Sequence, residues 1–101
     1  MTIYQSATYR VKQPAVGKVK AAIQEFVRYV EANEAGTRMY LAWQREDDTT
    51  QFMHLFIFDD ADAQARHGKS KAVKKFESVY SPELVGGPVV FTDFEMVAGK
   101  L

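Results

Sequence analysis

The sequence predicts an α+β fold in which helices cover one face of a four-stranded antiparallel sheet. Three observations point there. Residues 52–58, FMHLFIF, read as a strand that is apolar on both sides, with Met53, Leu55 and Ile57 opposite Phe52, Phe56 and Phe58. Val16, Val19, Ile23, Phe26, Val27 and Val30 fall at steps of three and four, the stripe of a helix about five turns long. Along the chain the patterns run strand, helix, strand, strand, helix pair, strand, which is the split β-α-β arrangement of ferredoxin-like folds.

Each element has a local reason. Ile3 to Val11 alternates as a first strand, with Ile3, Ala7, Tyr9 and Val11 on one face. Gln13-Pro14 breaks it, and Pro14 suits a first helical turn. The long helix keeps Lys18, Lys20, Gln24, Arg28 and Glu31 on its wet side and is expected to end over residues 33–36, with Gly36 left-handed. In the second strand, residues 38–46, Met39, Leu41 and Trp43 alternate with Tyr40, Ala42 and Gln44. The polar run Asp47-Asp48-Thr49-Thr50 is a turn of hairpin length, so residues 51–58 should pair antiparallel with that strand. Asp59 or Asp60 can cap the next helix, Gly68 is expected to end it, and Ser70 caps another whose inner side holds Val73, Phe76 and either Val79 or Tyr80. Residues 81–88 hold two prolines and two glycines and read as a loop; residues 89–97 read as the last strand.

The 101 residues are expected to form one domain, able to bury roughly 65% of the surface exposed when unfolded. Helices on one side leave the other sheet face open, yet that face is apolar whichever way the pleat is assigned. At about 25 cal/mol per Å², a face of several hundred Å² represents roughly 10 kcal/mol of burial. A homodimer packed sheet to sheet is the simplest way to recover it. The 13 basic and 13 acidic residues cancel, which argues against nucleic acid as a partner. Lys69, Lys71, Lys74 and Lys75 make the densest positive run, read as a solvated face, with an anionic ligand as the lesser reading. The absence of cysteine removes disulfides and thiolate chemistry. No segment has the length of a membrane span or the pattern of a signal peptide, so a soluble cytoplasmic protein is expected.

Few residues can carry chemistry. His67, at a helix end before Gly68, reads either as a general base near neutral pH or as a cation capping the helix dipole. His54 shares a face with Phe52, Phe56 and Phe58, and reads as a satisfied core residue or a polar contact for a ligand. Trp43, Tyr40, Phe56 and Phe58 could form an aromatic wall, which either holds a flat ligand or fills a core. Two histidines without metal-ligand spacing give no support to a bound metal. Phosphate-binding loops and nucleophile elbows are absent.

The run from Ala61 or Ala63 through His67-Gly68-Lys69-Ser70 to Phe76 resembles the antibiotic biosynthesis monooxygenase superfamily. A Gly-Gly-Pro loop followed by a strand with Phe91 and Phe94 agrees with it. The resemblance implies a dimeric α+β barrel with a pocket between sheet and helices. It also implies oxidation of a small quinol or polyphenol by O₂ with no metal, flavin or other cofactor. On that reading His67 is the base or substrate orienter, Trp43, Tyr40, Phe56 and Phe58 stack on the ring, and His54 is a second polar contact. The tryptophan and histidine that haem-degrading relatives carry near positions 67 and 77 are missing, which argues against haem degradation. Two other readings stay open: a non-catalytic dimeric domain that binds a small hydrophobe or serves a stress response, and an isomerase or decyclase with histidine as proton shuttle. A shared fold alone does not choose among them.

Overall fold

The computed structural model describes residues 1–100. Strand β1 (Ile3–Val11) leads through a single 3-10 turn at Gln13–Ala15 into helix α1 (Val16–Asn33). The hairpin β2 (Thr37–Gln44) and β3 (Gln51–Phe58) follows. Helices α2 (Ala61–Lys69) and α3 (Lys71–Tyr80) come next, and strand β4 (Leu84–Phe94) closes the sheet. The sheet order is β2-β3-β1-β4 with every pairing antiparallel, and the helices lie on one face.

The pleat explains which face that is. In β3 burial alternates strictly: Phe52, His54, Phe56 and Phe58 are buried, while Met53, Leu55 and Ile57 between them are only partly covered. Phe52 packs with Val19, Ile23, Phe26 and Val30 of α1, Phe76 of α3, and Tyr9 and Val11 of β1. Phe56 and Phe58 pack with Ala7 of β1 and Ala63 of α2, and His54 stacks on Phe76. Rings interlock at the centre, with Phe26 stacked on Phe76 at 5.1 Å and Tyr9 stacked on Tyr80 at 5.3 Å. Tyr80, then, is the residue that turns inward from the last turn of α3. Opposed aromatic pairs of this kind contribute about 0.5–1.5 kcal/mol beyond the area they bury.

Local chemistry sets the breaks. Asp60, not Asp59, caps α2, its carboxylate accepting from the Ala63 N–H at 2.8 Å. Asp59 instead pairs with Arg38 at 2.6 Å. Ser70 caps α3 by accepting from the Val73 N–H at 3.0 Å. In the β2–β3 turn the Asp48 carboxylate takes hydrogen bonds from Thr50 and Gln51, which hold it well below the usual carboxylate range.

Three sequence expectations need correction. Gly36 is not left-handed: Gly86 and Gly87 are the described residues with positive φ. Gly36 is required for closeness, because a Cβ there would stand 2.7 Å from the Ala63 Cβ of α2. Gly68 does not end α2, which runs on to Lys69. The last strand starts at Leu84, inside the expected loop. With φ of 78° and 119°, Gly86 and Gly87 let β4 bulge between the pairs Arg10–Val85 and Thr8–Val90 and then rejoin β1.

The outer face of the sheet carries Leu41, Trp43, Val90 and Phe94, all exposed in the single chain. Their cross-strand partners, Leu55, Met53, Thr8 and Tyr4, lie on that same face.

Candidate functional site

Between the inner sheet face and helices α2 and α3 lies a cavity of about 300 Å³. Strands β1, β2 and β3 supply Tyr9, Tyr40, His54, Phe56 and Phe58; α2 supplies His67 and α3 supplies Phe76 and Tyr80. Gln5, Gln64 and Glu77 add polar groups to a wall that is otherwise apolar. A mostly apolar cavity with a few directed polar groups is the usual form of a small-molecule site.

His67 is held on one side and free on the other. Its Nδ1 lies 2.7 Å from the Glu34 Oε1, which also accepts from the Thr37 hydroxyl at 2.8 Å. Glu34 follows the last residue of α1, so the end of that helix, the start of β2 and α2 meet at one carboxylate. Its second oxygen, Oε2, is buried and has no hydrogen-bond partner among the described residues. A carboxylate on Nδ1 fixes the ring and makes the other nitrogen the one available for proton transfer. Nε2 makes no hydrogen bond among the described residues and is not sealed from solvent. The ring itself is packed by Phe26 at 5.5 Å and Phe58 at 5.1 Å. His67 also borders an outer cleft, lined by Tyr29, Asn33, Arg66 and Ser70, on the other side of the helix junction.

His54 is one of the least accessible side chains described, at 1% exposure. Both ring nitrogens are engaged by phenols: Nε2 by the Tyr9 hydroxyl at 2.8 Å and Nδ1 by the Tyr40 hydroxyl at 2.7 Å. Burial pushes the imidazole pKa down to about 4, so it is neutral at physiological pH. Burial also pushes both tyrosines well above the usual phenol range.

Of the residues singled out in the sequence, His67, His54, Tyr40, Phe56 and Phe58 come together around this cavity. Trp43 does not. It alternates with Tyr40 and Ala42 along β2, so the pleat puts it on the outer face, half exposed; the expected wall of Trp43 with Phe56 and Phe58 does not form. Sequence reasoning also missed Tyr9 and Glu34. Tyr9 was detectable, because it shares its strand face with Ala7 and Val11. Glu34 had no signal, since its role comes from a contact 33 residues away. Among the described residues no three His, Asp or Glu side chains gather as a metal site would require. The lysine run stays on the surface, with Lys75 paired to Glu25.

Known proteins match this architecture closely. A candidate antibiotic biosynthesis monooxygenase from Bacteroides thetaiotaomicron superposes with a TM-score of 0.90 at 14% identity, over 99% of this chain and 93% of that one. Another, from Caulobacter crescentus, gives 0.86 at 21% identity over 96% and 91%. A third, from Nitrosomonas europaea, gives 0.86 at 14% over 95% and 90%. At such identities the likeness is one of fold. Among curated proteins no sequence matches. The sequence profile described as antibiotic biosynthesis monooxygenase, however, matches residues 2–78. With that match across most of its length, this chain belongs to the antibiotic biosynthesis monooxygenase family.

Proposed function

We propose that this protein is a cofactor-independent monooxygenase that oxidises a small quinol or polyphenol with O₂ in the aromatic cavity. The observation that carries the reading is the pairing of Glu34 with His67 Nδ1 at 2.7 Å, at the wall of an aromatic cavity that suits a planar ring. His67 Nε2 takes the proton of a substrate hydroxyl, and the Glu34 carboxylate stabilises the imidazolium that forms. The electron-rich quinolate gives an electron to O₂, and the radical pair closes to a ring hydroperoxide. Loss of water, with the His67 proton returned, leaves a hydroxyquinone. One oxygen atom stays in the product, the other leaves as water, and the quinol supplies all four electrons. Phe56, Phe58 and Tyr40 would stack on the ring, and His54 would act on the substrate only through its tyrosines. We further propose that residues 1–101 act as one such domain and that the exposed outer face pairs two copies into a dimer.

Oxygen uptake with a panel of hydroquinones, using protein stripped of metal and flavin, tests the chemistry. The expected result is one O₂ consumed and one labelled oxygen retained per quinol, with His67→Ala slower by about 10²–10⁴-fold, the usual size of a general-base effect. Binding of quinols without any uptake would overturn the reading in favour of a non-catalytic binding domain.

A further inference from the structure

The Tyr9–His54–Tyr40 chain has a property that neither a filled core nor the oxidation chemistry requires. A neutral imidazole donates through one nitrogen and accepts through the other. With a phenol on each nitrogen, one tyrosine must donate to the ring and the other must accept from it. The donating tyrosine is left with oxygen lone pairs free; the accepting tyrosine is left with its own O–H hydrogen free. Neither hydroxyl has another hydrogen-bond partner among the described residues, and both side chains line the cavity. The triad therefore offers a ligand one acceptor and one donor at two separate points. Reversing the imidazole tautomer exchanges the two.

We propose that Tyr9, His54 and Tyr40 form a charge-neutral proton relay that tautomerises a polyphenol ring, taking a proton from a ring hydroxyl at one tyrosine and delivering one to the para ring carbon at the other. The protons balance in a single pass. When Tyr9 is the donor to His54, the substrate hydroxyl proton passes to the Tyr9 oxygen and the Tyr9 proton passes to Nε2. The Nδ1 proton then passes to the Tyr40 oxygen, and the Tyr40 proton passes to the ring carbon. The O–H bond of the substrate breaks, a C–H bond forms, and the phenol becomes its cyclohexadienone tautomer. No charge is left on the protein, and the relay is reset by running in reverse. The dimensions suit this class of ligand. The two hydroxyls stand on opposite sides of the imidazole, separated by the ring and two hydrogen bonds, which is too far for both ends of one bond. The oxygen and para carbon of a six-membered ring are spaced widely enough to meet both. Avoiding charge matters in this setting, because burial disfavours both the imidazolium and the phenolates.

The proposal shares the cavity with the oxidation described above but does not depend on oxygen, so the test is done anaerobically. Phloroglucinol in D₂O exchanges its ring hydrogens through the dienone, and proton NMR follows their loss. The wild-type protein should accelerate exchange at least tenfold over buffer, and saturably. Tyr9→Phe, Tyr40→Phe and the double variant should each lose at least tenfold in kcat while KM moves less than threefold, with the double variant no worse than either single. Exchange at the buffer rate with wild type, or an effect on KM alone, overturns the relay. A second comparison needs no variant: 1,3,5-trimethoxybenzene has no hydroxyl proton to give, so the protein should not accelerate its ring exchange, and acceleration would overturn the relay. Exchange with no oxygen uptake in air would sink the oxidation and leave the relay standing; uptake without exchange would do the reverse.

Discussion

Replacing Gly36 by alanine tests how α2, and with it His67, is seated. The new Cβ would lie 2.7 Å from the Ala63 Cβ and 3.0 Å from the Arg66 Nη2. The arginine tip can swing away. The Ala63 Cβ cannot, since it is fixed to the α2 backbone and is itself buried at 3% exposure. Relief requires α2 to move off β2, which strains the hydrogen bond from the Asp59 N–H to the Gly36 carbonyl at 2.8 Å. Overpacking of this kind costs about 1–3 kcal/mol. With a urea m-value of about 1.5 kcal/mol per M, the unfolding midpoint should fall by about 0.7–2 M. Gly17→Ala is the control. Gly17 lies in α1, where an added Cβ would meet nothing within 4 Å, and alanine there should gain up to about 1 kcal/mol in helix propensity. Urea titrations of both variants followed by circular dichroism decide the matter. Equal midpoints for Gly36→Ala and wild type, or a loss for Gly17→Ala as large as that for Gly36→Ala, would refute the packing argument.

Three further outcomes follow from the geometry. Because the folded pKa of His54 is lowered to about 4 from 6.5, the unfolded chain binds more protons between those values; stability is complete above about pH 6.5 and should fall by about 3 kcal/mol as pH drops to about 4. Urea midpoints across that window should slope less steeply in His54→Gln, and an unchanged slope would contradict a buried neutral imidazole. Glu34→Gln removes the carboxylate on His67 Nδ1 and should lower kcat for quinol oxidation about 10–100-fold with little change in KM; steady-state oxygen uptake measures it, and a kcat within twofold of wild type would remove Glu34 from the mechanism. Trp43→Asp places a charge on the outer face, so sedimentation at micromolar concentration should give a mass near 11.5 kDa for the variant and twice that for the parent; a parent that is already monomeric would refute the sheet-to-sheet dimer.

Much of the fold and part of the site are legible in the residues, for reasons that differ by element. The alternation of β3 and the stripe of α1 are strong periodic signals, and both survive in the burial pattern. Ser70 and the aspartates before α2 announce helix starts because a short polar side chain there satisfies a free N–H. Two of the errors fall where meaning depends on a distant neighbour. Gly36 reads as a helix terminator in isolation, yet it is explained by Ala63. Gly86-Gly87-Pro88 reads as a loop, and only pairing with β1 shows it to be a bulge within a strand. The wall expected of Trp43 does not form because an aromatic ring follows the pleat of its strand and not its residue type. His54 is recognisable as a residue of an apolar row, but the two phenols that satisfy it come from other strands and leave no mark in its own segment.

The placement of His67 between two openings, the aromatic cavity on one side and the cleft beside Tyr29 and Ser70 on the other, separates two kinds of traffic. A bound ring can plug the inner chamber without cutting the imidazole off from bulk water. On the oxidation proposed above, the imidazolium would then stay in touch with water at the cleft while the proton it later returns remains beside the bound ring.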